Sequence, residues 1–368
     1  MEKARASRKT ERKSAAARRA GMEPEALKAT TDPENDSTAR SASDGAGRSR
    51  QMRAMLALLA VTLIWGGTFL WMKQGVETTQ DLFGPGAVTA GIGLFMVLRF
   101  GLAALLMPIV IPSSRRGLNF RVWWWGFLLG FLLLSGFHLQ MFGLEGVSAP
   151  VSAFLTSLYV VFTALLSALL FRKGIGIFLW IGALLATFGA GYISGPPQLS
   201  FGLHEWLTVA CAFLFAAHIL AIDYCTKNAP PMPLTWTSFL CVALGSSVTL
   251  AVGIAGDPEL QWGDMVTLTL HPGFWKPMLA SSLLATLLAL SLMNQFQREV
   301  PPVRAAILYA VEPVWAALMA VIWGNVQIDF WLVLGGVALL FGNLIAELGP
   351  LWKLARSVRG LGSKRTSK

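Results

Sequence analysis

The chain has 368 residues, of which 54% are hydrophobic and 14% charged, whereas a soluble domain carries about 25% charged residues. Its net charge of +10 comes from the two ends, because the stretch between them is nearly neutral. Residues 1–53 hold 13 Lys and Arg against 8 acids. Residues 349–368 hold 6 Lys and Arg and no acid. This composition excludes a water-soluble fold and indicates an integral membrane protein, and basic flanks are typical of membrane helices rather than of nucleic-acid binding.

The two ends are predicted to be basic cytoplasmic tails. Residues 1–53 contain no aromatic residue and almost no aliphatic residue, so they cannot bury enough apolar surface to order themselves, and we predict disorder. Their first 20 residues hold eight Lys and Arg, which either bind anionic lipid headgroups or form an inert tail. Residues 348–368 form the second basic tail.

Between the tails, apolar runs follow one another with short connections that contain Pro and Gly, which stop helices. A membrane helix needs about 20 residues, and only helices satisfy so much backbone in lipid. The pattern predicts an all-α polytopic protein with ten membrane helices, at residues 54–74, 87–110, 122–144, 148–170, 175–194, 205–225, 234–256, 277–297, 303–323 and 328–347.

The distribution of Lys and Arg among the short loops predicts the orientation. If the amino terminus is inside, the inner loops contain Arg115, Arg116, Arg121, Arg172, Lys173, Lys227 and Arg298, and the outer ones contain only Lys73 and Lys276. We therefore expect both termini to lie in the cytoplasm and the protein to reside in the cytoplasmic (inner) membrane.

The chain contains an internal repeat. A shift of 153 positions places residues 147–189 over 300–342 without a gap, with 11 of 43 positions identical. The fourth and fifth predicted helices then coincide with the ninth and tenth. Because an offset of five helices is odd, the units 54–194 and 205–347 must have opposite orientations in the membrane. Inverted repeats of this kind are typical of secondary transporters, whose substrate site lies near the midplane between the repeats.

Several motifs resemble EamA-type proteins of the drug/metabolite transporter superfamily. They are LIWGGTF at 63–69, Arg99-Phe100, FLTSLYVVFT at 154–163, QREVPPVR at 297–304 and, most specifically, VEPVW at 311–315. The resemblance covers residues 54–347 and implies an exporter of small compounds. The chain departs from the family at Trp323-Gly324-Asn325, where an acidic residue is frequent, so no acidic role is expected there.

Glu312 and Pro313 lie near the middle of the ninth predicted helix. A carboxylate at that depth costs about 2.5–3.5 kcal/mol on insertion scales, so it should face a partner or a wet cavity. Pro313 removes a backbone donor and crowds the preceding turn, which predicts a kink. The pair either contacts substrate and gates its passage, or supplies a structural hydrogen bond at the kink.

Arg99 is the other charge inside a predicted span. Its guanidinium stays ionised, so it cannot be the titrating part of a proton relay. Three roles are open: an ion pair with Glu312, contact with an anionic group of the substrate, or extension toward the membrane surface.

Further polar or aromatic residues in the spans are candidates for a substrate path. Tyr159 occupies the repeat position of Glu312, Trp65 is placed to wall an apolar pocket, and His138, His218 and Asn294 lie in otherwise apolar runs. Interhelical hydrogen bonding explains the last three equally well. The histidines match no metal-binding spacing.

These features predict a secondary transporter that moves a small metabolite or amphipathic compound by alternating access, with no cofactor. A P-loop and hydrolase motifs are absent from the sequence. Transport coupled to protons, transport coupled to sodium ions and uncoupled transport all fit the sequence equally well. The alternative is a membrane-embedded enzyme acting on a lipid or lipid-linked substrate, for which the predicted loop 257–276 offers the one candidate cluster, Asp257, Glu259, Asp264 and His271.

Overall fold

The structure, a computed structural model, describes residues 33–170, 176–192, 201–323 and 327–345. By its backbone contacts the chain divides into two units, Met1–Arg53 and Ala54–Lys368. Regular structure in the described residues is entirely helical, which confirms the predicted all-α class. Residues 1–32 and 346–368, which include most of the two predicted tails, lie outside the described residues, as does the Gly324–Asn325 departure noted above.

Fourteen α-helices are used below, numbered in chain order. They are α1 (Pro33–Phe83), α2 (Val88–Val110), α3 (Phe120–Gly146), α4 (Ala149–Thr156), α5 (Tyr159–Leu170), α6 (Ile177–Tyr192), α7 (Leu203–Asn228), α8 (Pro231–Gly256), α9 (Trp262–Leu270), α10 (Pro272–Ala280), α11 (Ser291–Phe296), α12 (Pro302–Tyr309), α13 (Glu312–Ile322) and α14 (Phe330–Ile345).

Each of the ten predicted spans coincides with helix. Seven stretches are long and apolar enough to cross a membrane: Arg50–Phe83, Pro85–Val110, Phe120–Gly146, Ala149–Leu170, Leu203–Asn228, Pro231–Gly256 and Pro272–Glu299. The fifth, ninth and tenth spans contain shorter apolar helices, at Trp180–Gly189, Glu312–Ile322 and Phe330–Ile345. The fold is that of a polytopic membrane protein.

Two segments are helical where the sequence predicts none. Helix α1 begins at Pro33, inside the segment predicted to be disordered, and proline is favourable in the first turn of a helix. The predicted loop 257–276 contains α9. A capping box between Gln261 and Asp264 starts this helix, and its inner side buries Met265 and Leu268.

The fourth and ninth spans are each two helices rather than one. Helices α4 and α5 are separated at Ser157–Leu158, and α12 and α13 at Ala310–Val311. A shift of 153 residues converts one break into the other, so both repeats carry the interruption at the same position. The kink predicted at Pro313 is thus a full break two residues upstream of it, with Pro313 in the first turn of α13.

The eighth span also departs from regular α-helix. Between α10 and α11, residues Ser281–Leu290 form a π-helix, in which backbone hydrogen bonds join residues five apart. We name this stretch the π segment. Such stretches are rare and concentrate at functional sites, and this one packs against α2.

Close helix crossings relate the two repeats. A Cβ atom added at Gly189 of α6 would collide with the backbone nitrogen of Leu339 in α14, and one added at Gly342 would collide with that of Ala186. Both glycines and both partners are related by the 153-residue shift. The crossing is therefore two-fold symmetric, as expected for a pair of inverted repeats.

Candidate functional site

Each half of one broken helix packs against a half of the broken helix in the other repeat. Helix α4 packs against α13, and α5 packs against α12. Since α4 corresponds to α12 and α5 to α13, these contacts are equivalent under exchange of the repeats. The breaks therefore meet at the local two-fold axis.

Tyr159 and Glu312 begin the second half-helix of their respective spans and meet at this axis. The Tyr159 hydroxyl donates a hydrogen bond to Glu312 Oε2 at 3.4 Å, and both residues are buried. Residues at the amino-terminal end of a half-helix inside a membrane lie where free backbone N–H groups favour a negative charge. The ends of two half-helices, one carboxylate and one phenol thus converge at a single point.

A cavity of about 50 Å³ adjoins this pair. Because one water molecule needs roughly 10–15 Å³ on this measure, the cavity holds a few waters and is too small for a metabolite. Both repeats contribute to its walls, which are mostly apolar. The lining residues are Trp65, Thr68, Phe69, Met72, Leu133, Phe137, Gln140, Thr156, Tyr159, Phe215, His218, Ile219, Leu290, Met293, Tyr309 and Glu312.

Four of the predicted site residues line the cavity. They are Trp65, Tyr159, His218 and Glu312. The indole of Trp65 donates to the carbonyl oxygen of Ala285 in the π segment at 3.2 Å and lies 5.7 Å from the Tyr309 ring. Among the described residues His218 Nε2 has no hydrogen-bond partner, so the cavity contains a polar atom that is free to bind a ligand or water.

Arg99 lies behind the cavity wall and is fully buried. Its Nε donates to Thr286 Oγ1 at 2.7 Å, and its Nη1 lies 3.2 Å from Met72 Sδ. No ion pair of Arg99 occurs within the part of the chain that the structure describes. Two of the three roles open for Arg99, an ion pair with Glu312 and extension to the membrane surface, are therefore not the ones observed.

His138 and Asn294 lie outside the cavity. His138 Nδ1 is hydrogen bonded to the Leu134 carbonyl oxygen at 2.8 Å, and Asn294 Nδ2 donates to Thr235 Oγ1 at 2.6 Å. The Asn294 bond joins two helices, as the sequence left open, whereas the His138 bond is to a residue four positions earlier in the same helix. The structure does not bring His138 and Asn294 together with Tyr159 and Glu312.

The sequence reasoning missed Thr156, Tyr309 and Gln140. Thr156 and Tyr309 end the first half-helices, α4 and α12, and correspond to each other under the 153-residue shift. Gln140 Nε2 donates to Thr156 Oγ1 at 3.3 Å, and the Tyr309 hydroxyl donates to Gln297 Oε1 at 3.1 Å. The repeat alignment itself carried the signal, because Thr156 and Tyr309 stand three residues before Tyr159 and Glu312.

The acidic and histidine side chains considered above for an enzyme, in residues 257–276, form hydrogen bonds to nearby backbone. Asp264 accepts from Gln261 N at 2.8 Å, Asp257 accepts from Glu259 N at 3.1 Å, and His271 accepts from Gly273 N at 3.2 Å. Among the described residues, no three His, Cys, Asp or Glu side chains are grouped so as to hold a metal ion. These residues are explained as helix caps and turn formers.

Comparison with known proteins agrees with this architecture. A model of the EamA-like transporter family matches residues 52–195 and again residues 203–347. The chain is similar to an uncharacterised transporter of Archaeoglobus fulgidus, with 29% identity over 278 residues that cover 75% of this chain and 80% of the relative. It is also similar to one of Synechocystis sp. PCC 6803, with 26% identity over 247 residues that cover 59% and 70%.

A solved crystal structure has a similar fold. It superposes with a TM-score of 0.56 at 16% sequence identity, over 83% of this chain and 99% of that one. At this identity the likeness shows the fold alone.

Proposed function

The chain belongs to the EamA-like transporter family, which confirms the resemblance seen in its motifs, and we propose that it exports a small metabolite or amphipathic compound across the cytoplasmic membrane by alternating access. Membership of a transporter family favours this role over the enzymatic alternative. Export is the direction that the motif resemblance implied. In this proposal both termini lie in the cytoplasm, and the substrate crosses between the two repeats.

The observation that supports the proposal is the Tyr159–Glu312 contact at the meeting point of two broken helices. Broken helices near mid-membrane, related by a pseudo-two-fold axis, form the substrate sites of many secondary transporters. The adjoining cavity is small and is lined by residues of both repeats, which suits a substrate path between them. Opening requires one repeat to move against the other, and the symmetric crossing of α6 with α14 and the equivalent contacts α4–α13 and α5–α12 are places where such motion would pivot.

A single cysteine at Thr68 tests alternating access without knowledge of the substrate. The three native cysteines, Cys211, Cys225 and Cys241, are first replaced by alanine or serine. Thr68 lines the cavity, so Thr68→Cys should react with a membrane-impermeant maleimide added to either side of proteoliposomes. Labelling from one side only would contradict alternating access through this cavity.

The matched control is a cysteine at Leu105, which faces away from the protein interior with 72% exposure. Leu105→Cys should stay unlabelled by the impermeant reagent from both sides, because in this topology it faces lipid. The amino and carboxyl ends are tested in the same vesicles with terminal tags. Tags in different compartments would contradict the ten-span topology.

A further inference from the structure

Arg99 carries a charge for which the protein supplies no counter-ion in its described part. Its side chain is 0% exposed, and the nearby groups are neutral: the Thr286 hydroxyl, the Met72 thioether, and the Phe137 ring, whose centroid lies 4.5 Å from Arg99 Cζ. Aromatic faces stabilise a cation in part. Nevertheless, a buried charge without an opposite charge is unfavourable unless something else pairs with it.

One nitrogen of the guanidinium remains open. Nε and Nη1 have partners, whereas Nη2 has none among the described residues. Arg99 is also held in place from the backbone, since Ser282 in the π segment donates to the Arg99 carbonyl oxygen at 2.7 Å. The backbone of Arg99 and the head of its side chain are therefore both held by hydrogen bonds, while the donors of Nη2 are unused among the described residues.

The guanidinium is separated from the cavity by two side chains, Met72 and Phe137. Both line the cavity and both contact Arg99. Methionine is unbranched and adopts several rotamers at low cost, so a rotation of Met72 is the smallest movement that would bring Arg99 toward the cavity. Glu312, the carboxylate already in the cavity wall, is bonded to Tyr159 instead.

We infer that Arg99 is the receptor for an anionic group, a carboxylate on the transported compound, which enters from the cavity past Met72. This rests on the function proposed above and narrows its cargo to organic acids with an apolar body that suits the apolar cavity walls. In this arrangement the planar guanidinium donates from Nη2 and Nη1 to the two carboxylate oxygens. Such paired, charge-assisted hydrogen bonds are stronger than those to a neutral group.

The test compares a carboxylate with its neutral amide on purified protein in a non-ionic detergent. Hexanoate and hexanamide have the same apolar chain, and formate and formamide are the corresponding minimal pair. Hexanoate should raise the unfolding midpoint of the wild-type protein saturably, by about 2 °C or more, because ligand binding to the folded state stabilises it. For the same shift of the unfolding midpoint, hexanamide should need a concentration at least about tenfold higher.

Variants assign the effect to Arg99. Arg99→Gln should lose the difference between hexanoate and hexanamide, and Arg121→Gln, which removes an exposed arginine beside Trp125, should keep it. If Arg99→Gln fails to fold, Arg99→Lys decides: it retains charge without the planar fork and should respond more weakly than wild type. Met72→Ala removes the separating side chain and should lower the half-saturating hexanoate concentration about threefold or more.

Three outcomes would overturn the inference. They are an equal response to hexanoate and hexanamide, an unchanged response in Arg99→Gln or Arg99→Lys, and a response to chloride without one to hexanoate, which would make the site one for an inorganic anion. The proposed function is judged separately. Two-sided labelling of Thr68→Cys in the Arg99→Gln background would leave alternating access standing even if the anion site fails.

Discussion

Tyr159 and Glu312 occupy the same position in the two repeats, and their side chains are hydrogen bonded to each other at 3.4 Å. Residues related by a two-fold axis can touch only if they lie on it. Hence the axis of the repeat passes between this phenol and this carboxylate, and the chemical difference between them is a departure from symmetry at the axis itself. Among the described residues of the mostly apolar cavity wall, Glu312 is the one carboxylate. Neutralising it should therefore have a large effect on transport.

Glu312→Gln is expected to reduce export at least about tenfold, equivalent to roughly 1.4 kcal/mol, while membrane insertion and the unfolding midpoint change little. Glutamine keeps the size and the acceptor for Tyr159 but cannot carry charge. The measurement is efflux from proteoliposomes loaded with compounds that stabilise the purified protein. Glu77→Gln is the control, because Glu77 is half-exposed and paired with Lys73 at 3.7 Å. Equal efflux by wild type and Glu312→Gln would remove the carboxylate from the mechanism.

The two histidines within the spans should differ in their effect. His218 lines the cavity with Nε2 unpartnered among the described residues, and His138 lies outside it with Nδ1 bonded to Leu134. We expect His218→Gln to change the efflux rate by about threefold or more and His138→Gln to leave it within about twofold. The same proteoliposome assay measures both. A larger effect from His138 would mean that the path runs on the other side of α3.

The crossing of α6 and α14 should tolerate no side chain. Gly189→Ala and Gly342→Ala each place a methyl group against the backbone of the opposite helix, and overpacking of this kind costs about 1–3 kcal/mol. Because the two sites are symmetric, their effects should be similar. Thermal unfolding in detergent measures them. Gly101→Ala is the control, since a Cβ there meets nothing within 4 Å, and it should be neutral or slightly stabilising.

Asn343 should stabilise the break in the fourth span. Its Nδ2 donates to the carbonyl oxygen and to the hydroxyl of Ser157 at 3.1 and 3.0 Å, in the turn that joins α4 to α5. Asn343→Ala removes both bonds and should cost about 1–3 kcal/mol, because a buried carbonyl loses a donor. Ser157→Ala also removes the bond from the Ser157 hydroxyl to the Phe154 carbonyl oxygen at 2.7 Å, but it leaves the Asn343 bond to the Ser157 carbonyl oxygen in place and should cost less. An unfolding midpoint lowered more by Ser157→Ala than by Asn343→Ala would contradict this ordering.

Much of the architecture follows from apolar runs and from one internal shift of 153 residues. The shift related Tyr159 to Glu312 correctly, yet it could not show that they touch, because correspondence between repeats says nothing about distance from the axis. The kink near Pro313 was predictable from its missing donor. The equivalent break at Ser157 has no proline and depends on Asn343, 186 residues away.

The partners of Arg99 were beyond the reach of a single sequence. Thr286 and Met72 come from spans 187 and 27 residues away, and neither is marked by charge or motif. The helix α9 was missed for a different reason, since Asp-Pro and His-Pro pairs suggest turns, while the Gln261–Asp264 capping box between them starts a helix. Turn signals and a helix-start signal thus lie within residues 257–272, and the helix that forms buries Met265 and Leu268.

The unequal residues at the axis have an energetic consequence. If two inverted repeats were chemically identical, the inward-facing and outward-facing forms would be copies of each other and equally populated in the absence of a membrane potential. Here threonine stands opposite tyrosine at 156 and 309, and tyrosine opposite glutamate at 159 and 312. In the proposed alternating-access cycle, the free-energy gap between the two forms would arise from such mismatched positions.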